Sequence, residues 1–454
     1  MGIPTVGIVR VDFIPVLKNA IAGLGFPPEM AMVPVPMALF LPGSDLAPIA
    51  QNLDQVIAGL TRWQPQVTVK SVIKPSPVRV EGKTHDEAVG AANALFLKNL
   101  WGDGLPLIPP TPDRVRWILR GTDLSPETVI GKILPEGRIA TAETLAVALA
   151  MAGGRPEYLP VLIAAVKGLI DKNTNHQAWQ ATSASVFPVV IVNGPVARQI
   201  RLNSGFGLMG PDALHPGGAS IGRALRLLMQ NVGGARPGVG TLAQYGGMRY
   251  TNAVFAEDED GLPSTWRPLN AEYFGLREGV SSVAVVPVSG AVNILGGGGK
   301  GSPDQLVRQK LYRLAAFMAV PNDNMLTGYE QGTPGVLIFS SVTAQEFADA
   351  GWSKEKIKQF LFENARIPVD KIRRDGFDGR IELKNLTPTL KQDPWPITAK
   401  AANFMIVVAG GRHPGHAYWM QASQGPRPVS AEVRLPARWR ELLAEAEKEL
   451  GPIS

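Results

Sequence analysis

The 454-residue chain contains no cysteine. That absence removes disulfides, Cys-ligated zinc, iron–sulfur clusters held by this chain, and any thiolate nucleophile of its own. Long apolar runs are missing too. Val186–Val192, interrupted by Pro188, has the length of a core strand and falls far short of a membrane span. At the chain start no positively charged region leads into a signal-type apolar core with a cleavage site. The net charge of +6 is spread along the chain, with no block of five or six Lys/Arg. No RNP, zinc-finger or basic-helix signature occurs either, so neither nucleic acid nor membrane is expected as a partner. A cytoplasmic, bacterial-type enzyme component is the resulting expectation.

What is present reads as globular. Hydrophobic residues make up 45% and charged residues 19%, and the length allows two or three domains. The 49 Gly and 39 Pro predict many tight turns, and their dispersion excludes collagen-like or low-complexity structure. Ile3–Val11 reads as a buried strand and Phe13–Leu24 as a helix. Met30–Val35 reads as a second strand, and after Ser44 a helix places Leu46, Ile49, Leu53, Val56, Ile57 and Leu60 on one face. This strand–helix–strand–helix order predicts a parallel pair with crossover helices. Two parallel strands do not make a stable sheet, so completion is expected from later segments or from another polypeptide.

The expected fold class is α/β: an N-terminal partial parallel, flavodoxin-like β-α-β-α unit over 1–64 and a larger mixed α/β domain over 84–436. A connector over 65–83 joins them, and a C-terminal surface helix occupies 437–454. Within the larger domain, helices are expected at Pro112–Leu119, Ala142–Ala152, Leu159–Leu169, Ser220–Val232, Gln305–Ala319 and Lys354–Ala365. Strands are expected at Phe187–Val192, Val283–Val288, Gly335–Ser340 and Asn403–Val408. No repeat period emerges.

Several loops carry chemistry. Gly102, Gly104, Pro106, Pro109 and Pro110 stiffen the loop around Asp103, whose carboxylate is either a base or substrate orienter or an Asx-type turn cap. In Arg155-Pro156-Glu157, Pro156 suits a first helical position and Glu157 the helix dipole. Alternatively Arg155 grips a substrate carboxylate while Glu157 moves a proton. Asn193-Gly194-Pro195 follows a buried strand, where open α/β sheets bind ligands. Asn203-Ser204-Gly205 offers oxyanion-type donors or turn chemistry, and no Gly-x-Ser-x-Gly elbow supports Ser204 as a nucleophile. Arg223, Asn231 and Arg236 offer anion contacts, against the commoner ion-paired structural arginine. His176, beside Asn175 and ahead of Gln180-Ala181-Thr182, is a candidate proton shuttle. Gly296–Gly299 with Lys300 lacks Walker A spacing. His413 and His416 sit among Pro and Gly in a loop, so a metal site would need carboxylates from elsewhere. No metal site is assigned, and no cofactor bound by this chain is expected.

Gly2–Val11, Trp101–Thr111, Met151–Pro160, Val192–Pro195, Asn203–Gly205, Ile221–Ala224 and Asn231–Pro237 together resemble the UGSC/CGSC-motif (seleno)protein family. In that family the Sec/Cys-Gly-Ser-Cys motif lies upstream of the strand that here begins at Ile3. Where relatives can carry a cysteine within Met151–Pro160, this chain has Gly154. The resemblance implies the large subunit of a heteromeric enzyme acting on a small, anionic molecule. A small Cys- or Sec-containing subunit would supply reductive or thiol-mediated chemistry. Two other functions stay open: a stand-alone acid/base lyase or hydrolase using Glu157, Asp103 and His176, and a non-enzymatic scaffold for a small protein.

Overall fold

A computed structural model describes residues 5–23, 30–40, 43–64, 77–246, 253–295, 299–321, 332–376, 392–423 and 427–453. Part of the expected connector (65–76) and of the glycine run (296–298) lies outside them. The N-terminal unit has the expected parallel pair, β1 (Gly7–Arg10) with β2 (Met32–Val35), in the register Gly7 to Met32 through Arg10 to Val35. Its helices are α1 (Ile14–Gly23), α2 (Ala47–Gln51) and α3 (Leu53–Thr61). The apolar stripe expected to bury α3 is uncovered among the described residues, because Leu53, Ile57 and Leu60 are exposed. A side-chain contact back to the main body runs from Asn19 Nδ2, which donates to the Val239 carbonyl at 3.2 Å.

Thr84 caps α4 (His85–Asn99) by accepting the Glu87 amide, the capping-box spacing of the sequence. Next come α5 (Pro112–Leu119), the hairpin β3 (Val129–Ile133) and β4 (Arg138–Thr141), α6 (Ala142–Met151), α7 (Leu159–Leu169) and α8 (His176–Ala181). The chain then runs through β5 (Phe187–Asn193), α9 (Val196–Gln199), α10 (Pro216–Asn231), β6 (Ala253–Ala256), α11 (Leu269–Glu272) and β7 (Ser282–Leu295). After α12 (Pro303–Met318) follow β8 (Gly335–Phe339), α13 (Ser341–Asp349), α14 (Lys354–Asn364), β9 (Arg366–Ile367), α15 (Val369–Arg374) and β10 (Trp395–Pro396). Last are β11 (Met405–Val408), β12 (His416–Ala422), β13 (Val429–Glu432) and α16 (Trp439–Leu450).

One mixed sheet organises the main body, in the order β11-β8-β12-β7-β5-β6, with β13 also paired to β7. β5–β6 and β8–β11 are parallel; every other pairing is antiparallel. Two modules therefore share one topology. In each, a parallel pair with helical crossovers (β5 and β6, β8 and β11) is followed by an antiparallel return strand (β7, β12). The return strands pair with each other at the centre.

Alternation along the strands divides the core. Val189, Ile191, Val286, Ile338 and Val407 fill one face of the sheet. On the other face Val190, Val192, Val283 and Val285 pack in a cluster shared with α6, α7 and α10. Leu337, Phe339, Ile406 and Val408 pack with residues of α12, α13 and α14. Burial on both faces explains why these strands read as unbroken apolar runs. The C-terminal helix is more than a surface cap. Trp439, Leu442 and Ala446 are buried, Glu445 pairs with Arg120 at 2.6 Å, and Glu449 pairs with Arg155 at 2.8 Å.

Candidate functional site

In the main sheet, the carboxyl ends of the four strands in parallel pairs (β5, β6, β8 and β11) converge. The amide of Asp258, just past β6, donates to the carbonyl of Val408, the last residue of β11, at 2.8 Å. The segment Asn203–Ser204 closes the gap: the Ala256 amide donates to the Asn203 carbonyl and the Gly410 amide to the Ser204 carbonyl, each at 2.9 Å. The sheet is thus rolled until its two edge strands meet. Asn203 holds its own loop, donating from Nδ2 to the Phe206 carbonyl (2.8 Å) and accepting the Gly205 amide (2.8 Å). Its amide side chain is therefore committed to turn chemistry, and the backbone of 203–204 does the joining.

Beside this junction lies a cavity of about 460 Å³, within the usual range for a small-ligand site. Ile338 and Ala409 carry the packed face of the sheet into it, and Phe206, Leu208 and Met209 cover it from the loop after Asn203. Gly411 is required where Phe206 crosses: its φ is +89°, and a Cβ there would come within 2.8 Å of the Phe206 ring. The polar lining is Asn293, Ser340, His413, His416 and Tyr418. Asn293 points this way because of a bulge. Gln421 pairs with Gly290 but Ala422 with Val288, which leaves Ser289 as an extra residue and shifts the alternation of β7 beyond it. Ile294 accordingly packs in the helix-covered core.

The two histidine rings meet edge to face, with centroids 4.8 Å apart. His413 Nδ1 lies 2.9 Å from the Pro414 carbonyl. A carbonyl only accepts, so in the neutral ring Nδ1 carries the proton and Nε2 is the basic atom. Ser340 fixes the loop. Its Oγ donates to the His413 carbonyl (2.7 Å) and accepts the Thr343 amide (3.2 Å) as the cap of α13. Thr343 Oγ1 accepts the Gly415 amide at 3.2 Å. Asp258, half-buried between these strand ends, has its carboxyl pushed up by burial, against the pull of the Gly261 amide and Arg412.

On the other side of the junction is a buried polar cluster. Glu257 Oε2 accepts Asn193 Nδ2 (2.7 Å) and the Leu269 amide (2.6 Å), while Oε1 faces Lys354 Nζ at 3.5 Å. Lys354 also donates to the carbonyls of Arg267 (2.8 Å) and Ile406 (3.1 Å). Glu259 receives Asn193 Nδ2 at 2.9 Å and the Gly194 amide at 2.7 Å. Gly194 has φ +84°, and a Cβ would lie 2.6 Å from the Ser281 backbone. Asn193 therefore sits at the predicted strand end, but its donors are turned inward on carboxylates. Nearby, burial lowers Lys358, which pairs with Glu272, and raises Tyr273 to about 12.

The remaining predicted residues lie elsewhere. Asp103 forms a two-pronged ion pair with Arg223, at 2.7 and 2.9 Å, and accepts the Leu105 amide at 3.1 Å. Burial works to raise this carboxyl, but Arg223 and the Leu105 amide hold it below its ordinary value. Asn231 Nδ2 joins the same loop by donating to the Trp101 carbonyl at 2.7 Å. The loop thus has both the turn cap and the structural arginine weighed from the sequence. Arg155 meets Glu157 at 2.5 Å and Glu449 at 2.8 Å, clamping α16 onto the turn before α7. His176 Nε2 accepts the Leu134 amide at 3.0 Å, and burial takes its pKa down to about 4. The ring is an acceptor at neutral pH, unsuited to shuttling protons there. Gln180 is buried on the same helix, and Arg236 lies in the turn after α10, its carbonyl accepting the Gly240 amide at 2.9 Å.

Of the residues singled out from the sequence, the structure brings together Asp103, Arg223 and Asn231 around one loop, and separately Asn203 and Ser204 at the strand junction. The cavity is lined by His413 and His416, which the sequence places in a Pro- and Gly-rich loop, and by Asn293, Ser340 and Tyr418, which no motif singles out. Among the described residues, no group of three or more His, Asp or Glu is arranged to hold a metal ion, and no helix is long and apolar enough to cross a membrane. No protein-family model, curated protein or solved structure matches the chain.

Proposed function

We propose that the protein is an enzyme performing acid–base chemistry on a small molecule held in the cavity beside the strand junction. The observation that carries this is a cavity lined by two histidines at the carboxyl ends of the parallel pair β8 and β11, beside the junction with the end of β6. In α/β sheets that end of the strands is where ligands bind. His413, its proton held on Nδ1 by the Pro414 carbonyl, presents Nε2 as the general base, and His416 is the second proton carrier. The reaction class is that of a lyase or hydrolase that needs no thiol. In a screen of small organic acids, esters and amides followed by mass spectrometry, wild-type protein should convert at least one. His413→Gln should lower that turnover by about 100-fold or more with an unchanged melting temperature. Equal turnover in the variant would remove His413 from the chemistry.

A second function is favoured by a different observation. β1 and β2 form an isolated parallel pair, and Ile8, Val11, Phe13, Leu53, Ile57 and Leu60 around it are exposed. A partner polypeptide adding strands would complete a flavodoxin-like sheet and cover those side chains. This fits the resemblance to the UGSC/CGSC proteins, in which a small subunit would bring the Cys or Sec. Native mass spectrometry of the complex from its source should then show a stoichiometric small chain containing Cys or Sec. A chain found alone, or only with copies of itself, would sink this function and leave the histidine site standing.

A further inference from the structure

We infer, building on the acid–base function proposed for the cavity, that its substrate is an uncharged carboxylic ester with an apolar acyl body, cleaved by water. The body follows from the walls. Phe206, Leu208, Met209, Ile338 and Ala409 form a surface continuous with the core of the rolled sheet. Among the described residues, no Asp, Glu, Lys or Arg lines the cavity. Arg412, the neighbour of His413 in sequence, stays outside the lining, and its charge acts on Asp258. Such walls favour an apolar body, and a formal charge among them would lose its water without gaining a partner.

The reacting group follows from which polar side chains are still uncommitted. Tyr418 is paired across the ladder with both Asn293 and Ile338, so the three stand side by side on the cavity face. His416 lies two residues from Tyr418 along β12 and so on the same face, with the His413 ring against its own. Among the described residues, no hydrogen bond engages the side-chain amide of Asn293, the Tyr418 hydroxyl or the His416 ring. Two donors, Asn293 Nδ2 and the Tyr418 hydroxyl, thus stand one step from the histidine pair. A carbonyl undergoing addition needs this arrangement: donors for the oxygen that gains charge, and a base for the attacking group. Ser340 does not supply the attacking group. Its one proton rests on the His413 carbonyl, which only accepts, so no base stands ready to remove it. Water is then the nucleophile. It yields a proton to His413 Nε2 as its oxygen bonds to the carbonyl carbon. The bond from that carbon to the leaving oxygen then breaks, and the departing oxygen takes up a proton from the histidines. Ester and water become acid and alcohol. The acid ionises, and walls that offer it no cation release it.

The test pairs turnover with binding in the full-length chain. Methyl 3-phenylpropanoate should be hydrolysed, and 4-phenylbutan-2-one, which keeps the carbonyl but has no leaving oxygen, should bind without reacting. In protein ¹³C-labelled at its five histidines, the ketone should move the Cε1 signals of His413 and His416 and leave His85, His176 and His215 in place. The product 3-phenylpropanoate, with the same body and a full charge, should bind at least about tenfold more weakly. Asn293→Ala combined with Tyr418→Phe should lower ester turnover by about 100-fold, with the melting temperature unchanged and the ketone affinity within about threefold. Equal affinity for ketone and carboxylate, a bound ester left uncleaved, or full turnover in the double variant overturns the ester class and leaves the acid–base cavity standing. The same holds if neither ketone nor ester reaches the two histidines while the screen finds another substrate whose turnover needs His413. Ester turnover that His413→Gln leaves intact removes the cavity's role, and this inference falls with it.

Discussion

His176 shows how burial converts a candidate catalyst into a stability element. Its Nε2 takes a backbone amide, and burial brings its pKa from 6.5 to about 4. The unfolded chain therefore binds this proton more readily than the folded one. The stability is present in full above about pH 6.5 and drains away as pH falls through the window down to about 4. The fall from 6.5 to about 4 corresponds to about 3 kcal/mol across that window. Urea denaturation at a series of pH values should show this loss, and His176→Gln should flatten the slope between pH 6.5 and 4. An unchanged slope would mean that His176 is not the titrating group. Asp103 has the same linkage sign but the opposite charge state, since its arginine partner lowers its pKa and keeps it ionised, a contribution lost as pH falls through the carboxylate range. Neither behaviour was legible in the local sequence, because the Leu134 amide and Arg223 that decide it lie 42 and 120 residues away.

Among the secondary-structure elements, α13 and the loop of the two histidines are one mechanical unit. Ser340 caps α13 and also donates to the His413 carbonyl, while Thr343 takes the Gly415 amide. Ser340→Ala should cost about 1 to 2 kcal/mol through the lost cap. Unlike an ordinary cap variant, it should also broaden or shift the His413 ring signal. A stability loss with His413 unmoved would separate the two roles. Ser289 acts on β7 in a comparable way. One extra residue exchanges Asn293 and Ile294 between cavity and core, a change that the polar–apolar alternation of Ser289–Leu295 does not announce.

For the whole molecule, one rolled sheet is built from two modules of equal topology whose strand ends have different contents. The β5–β6 end holds Asn193, Glu257 and Glu259, locked together by hydrogen bonds, with Glu257 facing Lys354 from the other module. Beside the β8–β11 end lies the cavity with the histidines. One end is thus filled with protein charge, and the other opens on the cavity in which the proposed chemistry is placed. The N-terminal unit differs, since among the described residues its two parallel strands leave ladder groups and an apolar helix face uncovered. The stoichiometric small chain expected in native mass spectrometry would relieve both at once.

The sequence by itself determined the class and most of the elements. Apolar runs bounded by Gly and Pro marked β5, β8 and β11, capping residues marked α4, and the parallel β1–β2 pair followed from strand–helix alternation. The absence of cysteine bounded the chemistry available to the chain. The short β6, the second half of β7, β12 and β13 escaped, because Gly290, Asn293, Tyr418 and Gln421 break the apolar run that marks a core strand. Only the tertiary structure decided which end of the sheet is open. That depends on pairings such as Asp258 with Val408 and Ser204 with Gly410, which lie 150 and 206 residues apart. Composition and periodicity describe what a residue needs locally. They carry no record of which distant backbone satisfies it.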